Sequence, residues 1–203
     1  MTTFFFVRHG VTAHTGHKLS GWLPDIHLTG EGMSQAEVIA ASLSRVPFKA
    51  IYSSPIDRTL ETAQVIAAPH GLQVRTRRSL GEVRHGKWTN RSFKSLRRTR
   101  LWSTVQRWPS GVRFPDGETF LDVCKRAVDE VERMRLEHPR QTLCVVSHAD
   151  VIKLIAAHYL GMHIDHFQRL AIGPASVTVI AISNEGPRVM TVNAPPSASF
   201  AAS

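Results

Sequence analysis

Short β-prone runs alternate with amphipathic helical stripes along most of this 203-residue chain. The runs are rich in Val, Ile, Phe and Tyr, whereas the stripes are apolar at every third or fourth position. Because a strand–helix–strand order usually joins parallel neighbours in one sheet, the alternation predicts a three-layer α/β/α fold with a mostly parallel sheet. The strands are expected over residues 3–7, 48–53, 74–76, 143–147, 176–182 and 188–192.

The residues at the ends of these predicted elements indicate a turn and two helix caps. A turn over residues 184–186 separates the last two strands, so they should form a hairpin that makes the sheet mixed. Thr29 is placed as the N-cap of the first helix. Ser54 is placed as the cap of the second, with Pro55 at its first position, so Arg58 lies in the first turn. Further helices are expected over 90–107, 120–134 and 151–160.

The length and composition indicate one domain over residues 1–193. Residues 194–203 are rich in Ala, Ser and Pro and are expected to be a disordered tail. Cys124 and Cys144 lack metal-ligand spacing, which argues against a disulfide scaffold or a Cys-x-x-Cys zinc site. No apolar run reaches the roughly 18 residues of a membrane helix, and the first residues do not resemble a signal peptide. We therefore expect a soluble cytoplasmic protein without a membrane partner.

The net charge of +9 comes from one segment. Between Arg75 and Arg107 lie eleven basic residues and a single acid, Glu82. Such a segment is typical of a surface that binds nucleic acid or draws anionic small molecules toward a cleft, but a solvated helix face would have the same composition. The chain lacks helix-turn-helix, zinc-finger and RNP patterns, so specific binding of nucleic acid is not expected.

Two arginines and two histidines follow the ends of three predicted strands. Ligands of open α/β sheets bind beyond the carboxyl ends of the strands, so Arg8, His9, Arg58 and His148 should meet in one pocket. Singly, each has a structural explanation; Asp57, for example, could pair with Arg58. Together they predict phosphoryl transfer through a phosphohistidine, because guanidinium groups bind phosphoryl oxygens and a neutral imidazole is a competent nucleophile.

The order of these motifs resembles the histidine phosphatase (phosphoglycerate mutase-like) superfamily. The opening Arg8-His9-Gly10 is similar to its signature, and Val146-Ser147-His148 is similar to the segment of its second histidine. The resemblance runs from about Phe4 to Ile182 in the family's order and implies a phosphoglycerate mutase-like fold. The other matching segments are residues 21–36, 53–63, 80–88 and 117–119.

The resemblance also implies the role of each residue. His9 would be the nucleophile, while Arg8, Arg58 and His148 would hold the phosphoryl oxygens. Glu82 would be the general acid that protonates the leaving oxygen and then the base that activates water; independently, it is the only carboxylate among eleven cations. No metal or other cofactor is expected, and the histidines at positions 158, 163 and 166 are not expected to be zinc ligands.

Further contacts are expected around this centre. Thr15 stands where an Asn is frequent in the family and could replace it through its hydroxyl, and Gly21 is a second expected substrate contact. The basic segment directly follows Glu82, so residues 83–115 or so should form an inserted cap over the site. The cap residues expected to meet anionic groups of the substrate are Arg84, Lys87, Arg91 and Lys94.

Three functions remain open from the sequence. A phosphatase acting on a small anionic phosphorylated substrate is favoured over a phosphomutase, because the glycolytic mutases of the superfamily are longer and have a tail that excludes water. A non-catalytic binding module is less favoured, since all five catalytic positions are filled. A bell-shaped pH profile is expected, because His9 must be neutral and Glu82 protonated. A homodimer is possible.

Overall fold

Alternate side chains of the first strand lie in two separate cores. Phe4 and Phe6 belong to one buried apolar cluster, whereas Phe5 and Val7 belong to the other. A strand buried on both faces lies in the middle of a sheet covered by helices on both sides. The computed structural model, which describes residues 1–200, therefore has the three-layer arrangement that the alternating pattern predicts.

The sheet has six strands in the order β3-β2-β4-β1-β5-β6. The first four of these run parallel to one another, and β5 and β6 form an antiparallel hairpin beside β1. The predicted mixed, mostly parallel sheet is confirmed. The strands are β1 (Thr2–Arg8), β2 (Phe48–Ser53), β3 (Val74–Thr76), β4 (Thr142–Ser147), β5 (Val177–Ser183) and β6 (Gly186–Ala194).

Six α-helices lie among these strands: α1 (Gly30–Leu43), α2 (Asp57–Ala67), α3 (Phe93–Leu96), α4 (Arg100–Arg107), α5 (Phe120–Glu137) and α6 (Ala149–Tyr159). The first two cover one face, where Ile39 and Ile66 pack against Phe5 and Val7. The helices α5 and α6 cover the opposite face, and α3 and α4 lie above the carboxyl ends of the parallel strands. The α3 and α4 helices therefore cover the loops that follow those strand ends.

The predicted cap of the first helix is confirmed, but that of the second is wrong. Thr29 accepts a hydrogen bond from the Gly32 amide at 3.1 Å. In contrast, α2 begins at Asp57 with Ile56 at the N-cap position and no side-chain cap. The Ser54 hydroxyl is instead hydrogen-bonded to His148 Nε2 at 2.9 Å, so it serves the strand-end pocket rather than the helix.

The basic segment forms two short helices rather than the single helix predicted over 90–107. Ser92 caps α3 and Thr99 caps α4, each accepting a hydrogen bond from a backbone amide three residues later. A side-chain cap favours a new helix start over the continuation of an existing helix. The two hydroxyls thus divide the segment, and the helical periodicity of its apolar residues did not reveal that division.

The last strand is longer than predicted and includes Ala194, where the tail was expected to begin. Beyond it, the Phe200 ring lies 5.6 Å from the Phe5 ring, centroid to centroid. The predicted disorder thus differs from the structure at these two positions, while residues 201–203 lie outside the described part of the chain. Within residues 1–200, no helix has the length and apolar character needed to cross a membrane.

Candidate active site

Three parallel strands end side by side and bring the predicted residues together. In the register of the sheet, Arg8 is paired with Ser147 and Ser53 with Val146. The next residues along the chain, His9, Ser54 and His148, therefore leave the sheet at the same edge. Their proximity is measured by the His9 and His148 rings, whose centroids are 5.4 Å apart. The segments that follow β1, β2 and β4 therefore meet as predicted.

The hydrogen bonds of the His9 imidazole show which of its two ring nitrogens carries the proton. Its Nδ1 lies 2.7 Å from the Gly10 carbonyl oxygen, which can only accept, so Nδ1 carries the proton. Arg58 Nε donates to His9 Nε2 at 3.3 Å, which is consistent with a lone pair on that nitrogen. Burial, together with the positive charges of Arg58 and Arg8, lowers the pKa of His9 well below its ordinary value of 6.5. His9 is therefore a neutral imidazole with an unprotonated Nε2 at physiological pH.

The two arginines beside His9 keep buried donors without a partner. Arg8 Nη1 donates to the Ile172 carbonyl at 2.7 Å, and Arg58 Nη2 donates to the Gly21 carbonyl at 2.9 Å. Within the described residues, Arg8 Nε and Arg58 Nη1 are buried and have no hydrogen-bond partner. A buried donor left unpaired costs about 1–3 kcal/mol. The site is thus built to receive an anion with several acceptor oxygens.

His148 lies behind Arg58 and has no exposed surface. Since Arg58 Nη2 can only donate, His148 Nδ1 accepts from it at 3.3 Å, and His148 Nε2 then donates to Ser54. Burial and the Arg58 charge lower the pKa of His148 well below 6.5. Its 3.7 Å approach to Glu82 Oε2 is therefore not an ion pair. His148 is not among the residues lining the cavity, so its direct contact with a phosphoryl group stays a prediction.

Glu82 has the protonation behaviour that an acid catalyst needs. Burial, assisted by the nearby Asp150 charge, raises its pKa to about 7, although Arg58 and Arg8 act in the opposite direction. Oε1 accepts from the Val83 amide at 2.9 Å, and Oε2 faces His148. A carboxyl group with a pKa near neutrality can donate a proton in one step and accept one in the next.

The loop that carries Glu82 is held by Arg126 on α5, a residue that the sequence did not single out. Its guanidinium donates to the carbonyl oxygens of Ser79, Gly81 and Glu82 at 2.6–3.0 Å and makes a bidentate ion pair with Glu118. Trp22 Nε1 also donates to the Glu82 carbonyl. Arg126 therefore uses all three nitrogens of its guanidinium to hold the backbone of the Glu82 loop and the Glu118 carboxylate.

We expect Arg126→Ala to lower kcat by about 10-fold or more with little change in KM, because misplacing Glu82 slows proton transfer without removing a substrate contact. Arg126→Lys should recover only part of the loss, since one ammonium group cannot reach all these oxygens. The matched control is Arg133→Ala on the same helix, whose guanidinium is exposed and pairs with Glu130. Steady-state kinetics that separate kcat from KM check the expectation, and equal values for the Arg126 and Arg133 variants would contradict it.

These groups open into a cavity of about 230 Å³. Arg8, His9, Arg58 and Glu82 line its floor, and Thr15 and Gly21 line its wall as predicted. The Thr15 hydroxyl accepts from the Thr12 amide at 2.9 Å, so it shapes the loop as well as facing the cavity.

The four cap cations expected at the substrate lie outside this lining. Arg84 stacks on Trp22 and lies 3.6 Å from a Glu118 oxygen, while Lys87 pairs with Asp116 at 3.0 Å on the surface. Arg91 and Lys94 are exposed. Their charged ends remain in water, and the apolar side of the segment is the side that packs inward. Contact of these four cations with the substrate stays a prediction.

That apolar side forms a wall of aromatic rings which the sequence analysis did not assign to the site. The rings are Trp88, Phe93, Trp102, Phe114 and Phe120, and all line the cavity. The available signal was the interleaving of aromatic residues with the cations between positions 88 and 102. The positive charge of the segment indicates an exposed surface and does not show which side of the segment packs inward.

One cluster in the described part of the chain has metal-ligating atoms within 4.8 Å of one another: Asp25, His27 and Asp57. It is largely exposed and does not line the cavity. Asp57 Oδ2 accepts from the Asp25 amide at 2.9 Å. Burial lowers the pKa of Arg58, but the charge of Asp57 nevertheless favours the protonated guanidinium and acts to raise that pKa.

Fold and pocket together define a mixed α/β protein with a buried imidazole and two cationic donors at its strand ends. A family model of the histidine phosphatase superfamily (branch 1) matches residues 4–195, and the chain belongs to that superfamily. The resemblance inferred from the motifs is thereby confirmed.

Named relatives of both reaction types are similar to the chain. Phosphoserine phosphatase 1 of Hydrogenobacter thermophilus is 29% identical over 196 residues, which cover 95% of this chain and 92% of that protein. The 2,3-bisphosphoglycerate-dependent phosphoglycerate mutase of Thermoplasma acidophilum is 29% identical over 198 residues, or 96% and 93% of the two chains. The solved structure of Bacillus stearothermophilus YhfR matches with a TM-score of 0.88 and 26% identity, covering 94% and 96%. The phosphoglycerate mutase-like fold is confirmed.

Proposed function

We propose that this protein is a phosphatase that hydrolyses a small phosphomonoester through a phosphohistidine on His9. One observation carries the proposal: a neutral imidazole with an unprotonated Nε2 lies beside two buried, unpartnered guanidinium donors and a carboxyl group whose pKa is about 7. A phosphoryl group supplies the acceptor oxygens that these donors lack and the phosphorus that Nε2 attacks.

In the first half of the reaction, the Nε2 lone pair of His9 forms the N–P bond as the bond between phosphorus and the ester oxygen breaks. Glu82 gives its proton to the leaving alkoxide. In the second half, the Glu82 carboxylate takes a proton from water, the water oxygen bonds to phosphorus, and the N–P bond breaks to release phosphate. Arg8 and Arg58 stabilise the charge on the phosphoryl oxygens in both halves.

We further propose that the reaction needs no metal or other cofactor, because the two permanent guanidinium charges neutralise the transferred group. Activity that persists in a chelator supports this part of the proposal. A cytoplasmic location is also proposed, since Cys124 and Cys144 are free thiols in the structure, as is usual in a reducing compartment.

The second candidate is a phosphomutase, favoured by the likeness to a named mutase. Water completes the phosphatase cycle, whereas in a mutase a hydroxyl of the substrate takes the phosphoryl group back. We expect free phosphate to be released in step with substrate loss, because the cavity is only partly enclosed and admits water. Phosphate release and the positional isomers, followed together by phosphorus NMR, distinguish the two; isomer accumulation with little free phosphate would identify the mutase.

A further inference from the structure

We propose that the substrate's leaving group is an uncharged alcohol carrying a single aromatic ring, which packs against the aromatic wall of the cavity. This inference rests on the proposed phosphatase function and names the class of its substrate. It differs from a compact charged substrate such as phosphoserine, for which the phosphate-binding end of the site would be equally suitable.

The wall is continuous. The Trp88 and Trp102 rings are stacked with an interplanar angle of 22° and centroids 6.3 Å apart, and Phe93 meets the edge of Trp102 at 6.0 Å. On the other side, Trp88 contacts Phe114 at 5.4 Å, and Phe114 contacts Phe120 at the same distance. Aromatic pairs in such offset and edge-to-face geometries bind a further ring in the same way.

The cavity offers few charges to a leaving group beyond the phosphate-binding arginines. His85 also lines the cavity, and burial lowers its pKa to about 4, so this ring is neutral. Its Nδ1 is buried and has no hydrogen-bond partner among residues 1–200. Asp150 lies 3.5 Å from Lys153, and Lys18 is exposed at the rim.

The wall argues against a zwitterionic leaving group. An ammonium and a carboxylate placed against these rings would lose water, and the rings themselves offer neither group a hydrogen-bonding partner, which is costly. The charged side chains that line the cavity away from its floor are Asp150, which is close to Lys153, and Lys18, which is exposed. A cation alone could bind the ring faces, but the positive charges of Arg8 and Arg58 on the cavity floor oppose it. An uncharged ring avoids both costs.

The volume sets the size of the ring system. Pockets for drug-sized ligands span roughly 300–1,000 Å³, and this cavity has about 230 Å³. Since the phosphoryl group takes part of that space, one ring on a short linker fits better than a fused or extended system.

The test compares esters of alkyl alcohols, so that acidity of the leaving group does not decide the result. With wild-type protein, we expect kcat/KM for 2-phenylethyl phosphate to exceed that for phosphoserine and for phosphocholine by about 10-fold or more, as expected when a ring is buried in an apolar pocket. Equal or higher values for either charged ester would overturn the inference.

Variants locate the effect in the wall. Trp102→Ala should lower kcat/KM for 2-phenylethyl phosphate about 10-fold more than it lowers kcat/KM for phosphoserine. The matched control is Trp108→Ala, which removes a 60% exposed ring just beyond the same helix and outside the cavity. If Trp102→Ala lowered both activities equally, the wall would be structural and the inference overturned; should that variant not fold, Phe93→Ala takes its place.

Failure of the proposed function gives a different result. If no phosphomonoester is turned over in a His9-dependent manner, the phosphatase proposal fails, and this inference fails with it. If hydrolysis depends on His9 but phosphoserine or phosphocholine is the better substrate, only the inference about the leaving group fails.

Discussion

Replacing His9 with alanine is expected to lower kcat/KM for the best phosphomonoester by about 10⁴-fold, because the covalent route disappears and water must attack an intact ester directly. The buried donors of Arg8 and Arg58 remain, so the variant should still bind the substrate. We therefore expect a Kd close to the wild-type KM. Phosphate release measures the first quantity and calorimetric titration the second.

The same variant should also abolish a trappable intermediate. Wild-type protein quenched during turnover of a phosphorus-labelled ester is expected to carry an acid-labile, base-stable label on His9, as a phosphoramidate should. The matched control is His158→Ala, which removes an exposed imidazole on α6 and should keep both the label and the activity. A His9→Ala protein that still turns over the ester at the wild-type rate would contradict a nucleophilic role for His9.

The centre of the site could be predicted from the sequence because each residue is tied to a strand end. Hydrophobic runs revealed β1, β2 and β4, and the carboxyl ends of parallel strands share one edge, so Arg8, His9 and His148 had to meet. Arg58 followed from its place in the first turn after β2. Glu82 was found by its chemistry and its motif, since it lies in a loop without regular structure.

The remaining features depend on which way side chains point after packing. Ser54 looked like a helix cap, but a buried hydroxyl near His148 makes a hydrogen bond there instead. Arg126 lies on the helix that closes the far side of the Glu82 loop, and its three carbonyl partners are 44–47 residues away in sequence. The cap segment turned its rings inward and its cations outward. These partners and buried faces depend on contacts between residues that are far apart in the sequence, and a local pattern does not contain that information.

Replacing Glu82 with glutamine is expected to lower kcat/KM for an alkyl phosphate by about 10³-fold, because glutamine keeps the shape of the side chain but cannot give a proton to the alkoxide. For 4-nitrophenyl phosphate the loss should be much smaller, since that leaving group departs as a stable anion. The ratio of the two losses measures the acid role directly. An equal loss for both esters would contradict that role and indicate that Glu82 only holds the site together.

The pH profiles of kcat/KM should show the ionisation of the same carboxyl group, that of Glu82. In wild-type protein, kcat/KM for the alkyl ester is expected to fall as pH rises through about 7, where Glu82 loses the proton that it must donate. His9 should contribute no change near neutral pH, because burial and the Arg58 and Arg8 charges hold its pKa well below 6.5. The falling limb near pH 7 should be missing from Glu82→Gln.

The pH dependence of the melting temperature provides the control for Glu82→Gln, and the direction of the expected change follows from the pKa of Glu82. Burial raises the pKa of Glu82 in the folded state from an ordinary 4.5 to about 7, so the folded protein binds the extra proton more strongly than the unfolded chain does. That contribution is complete below pH 4.5 and is lost as pH rises through about 7, where a buried carboxylate must ionise. Glu82→Gln should therefore melt at the same temperature as wild-type protein near pH 5 and at a higher one near pH 8. A variant that loses activity while it keeps or gains stability has lost proton transfer by Glu82, as acid or as base, rather than its fold.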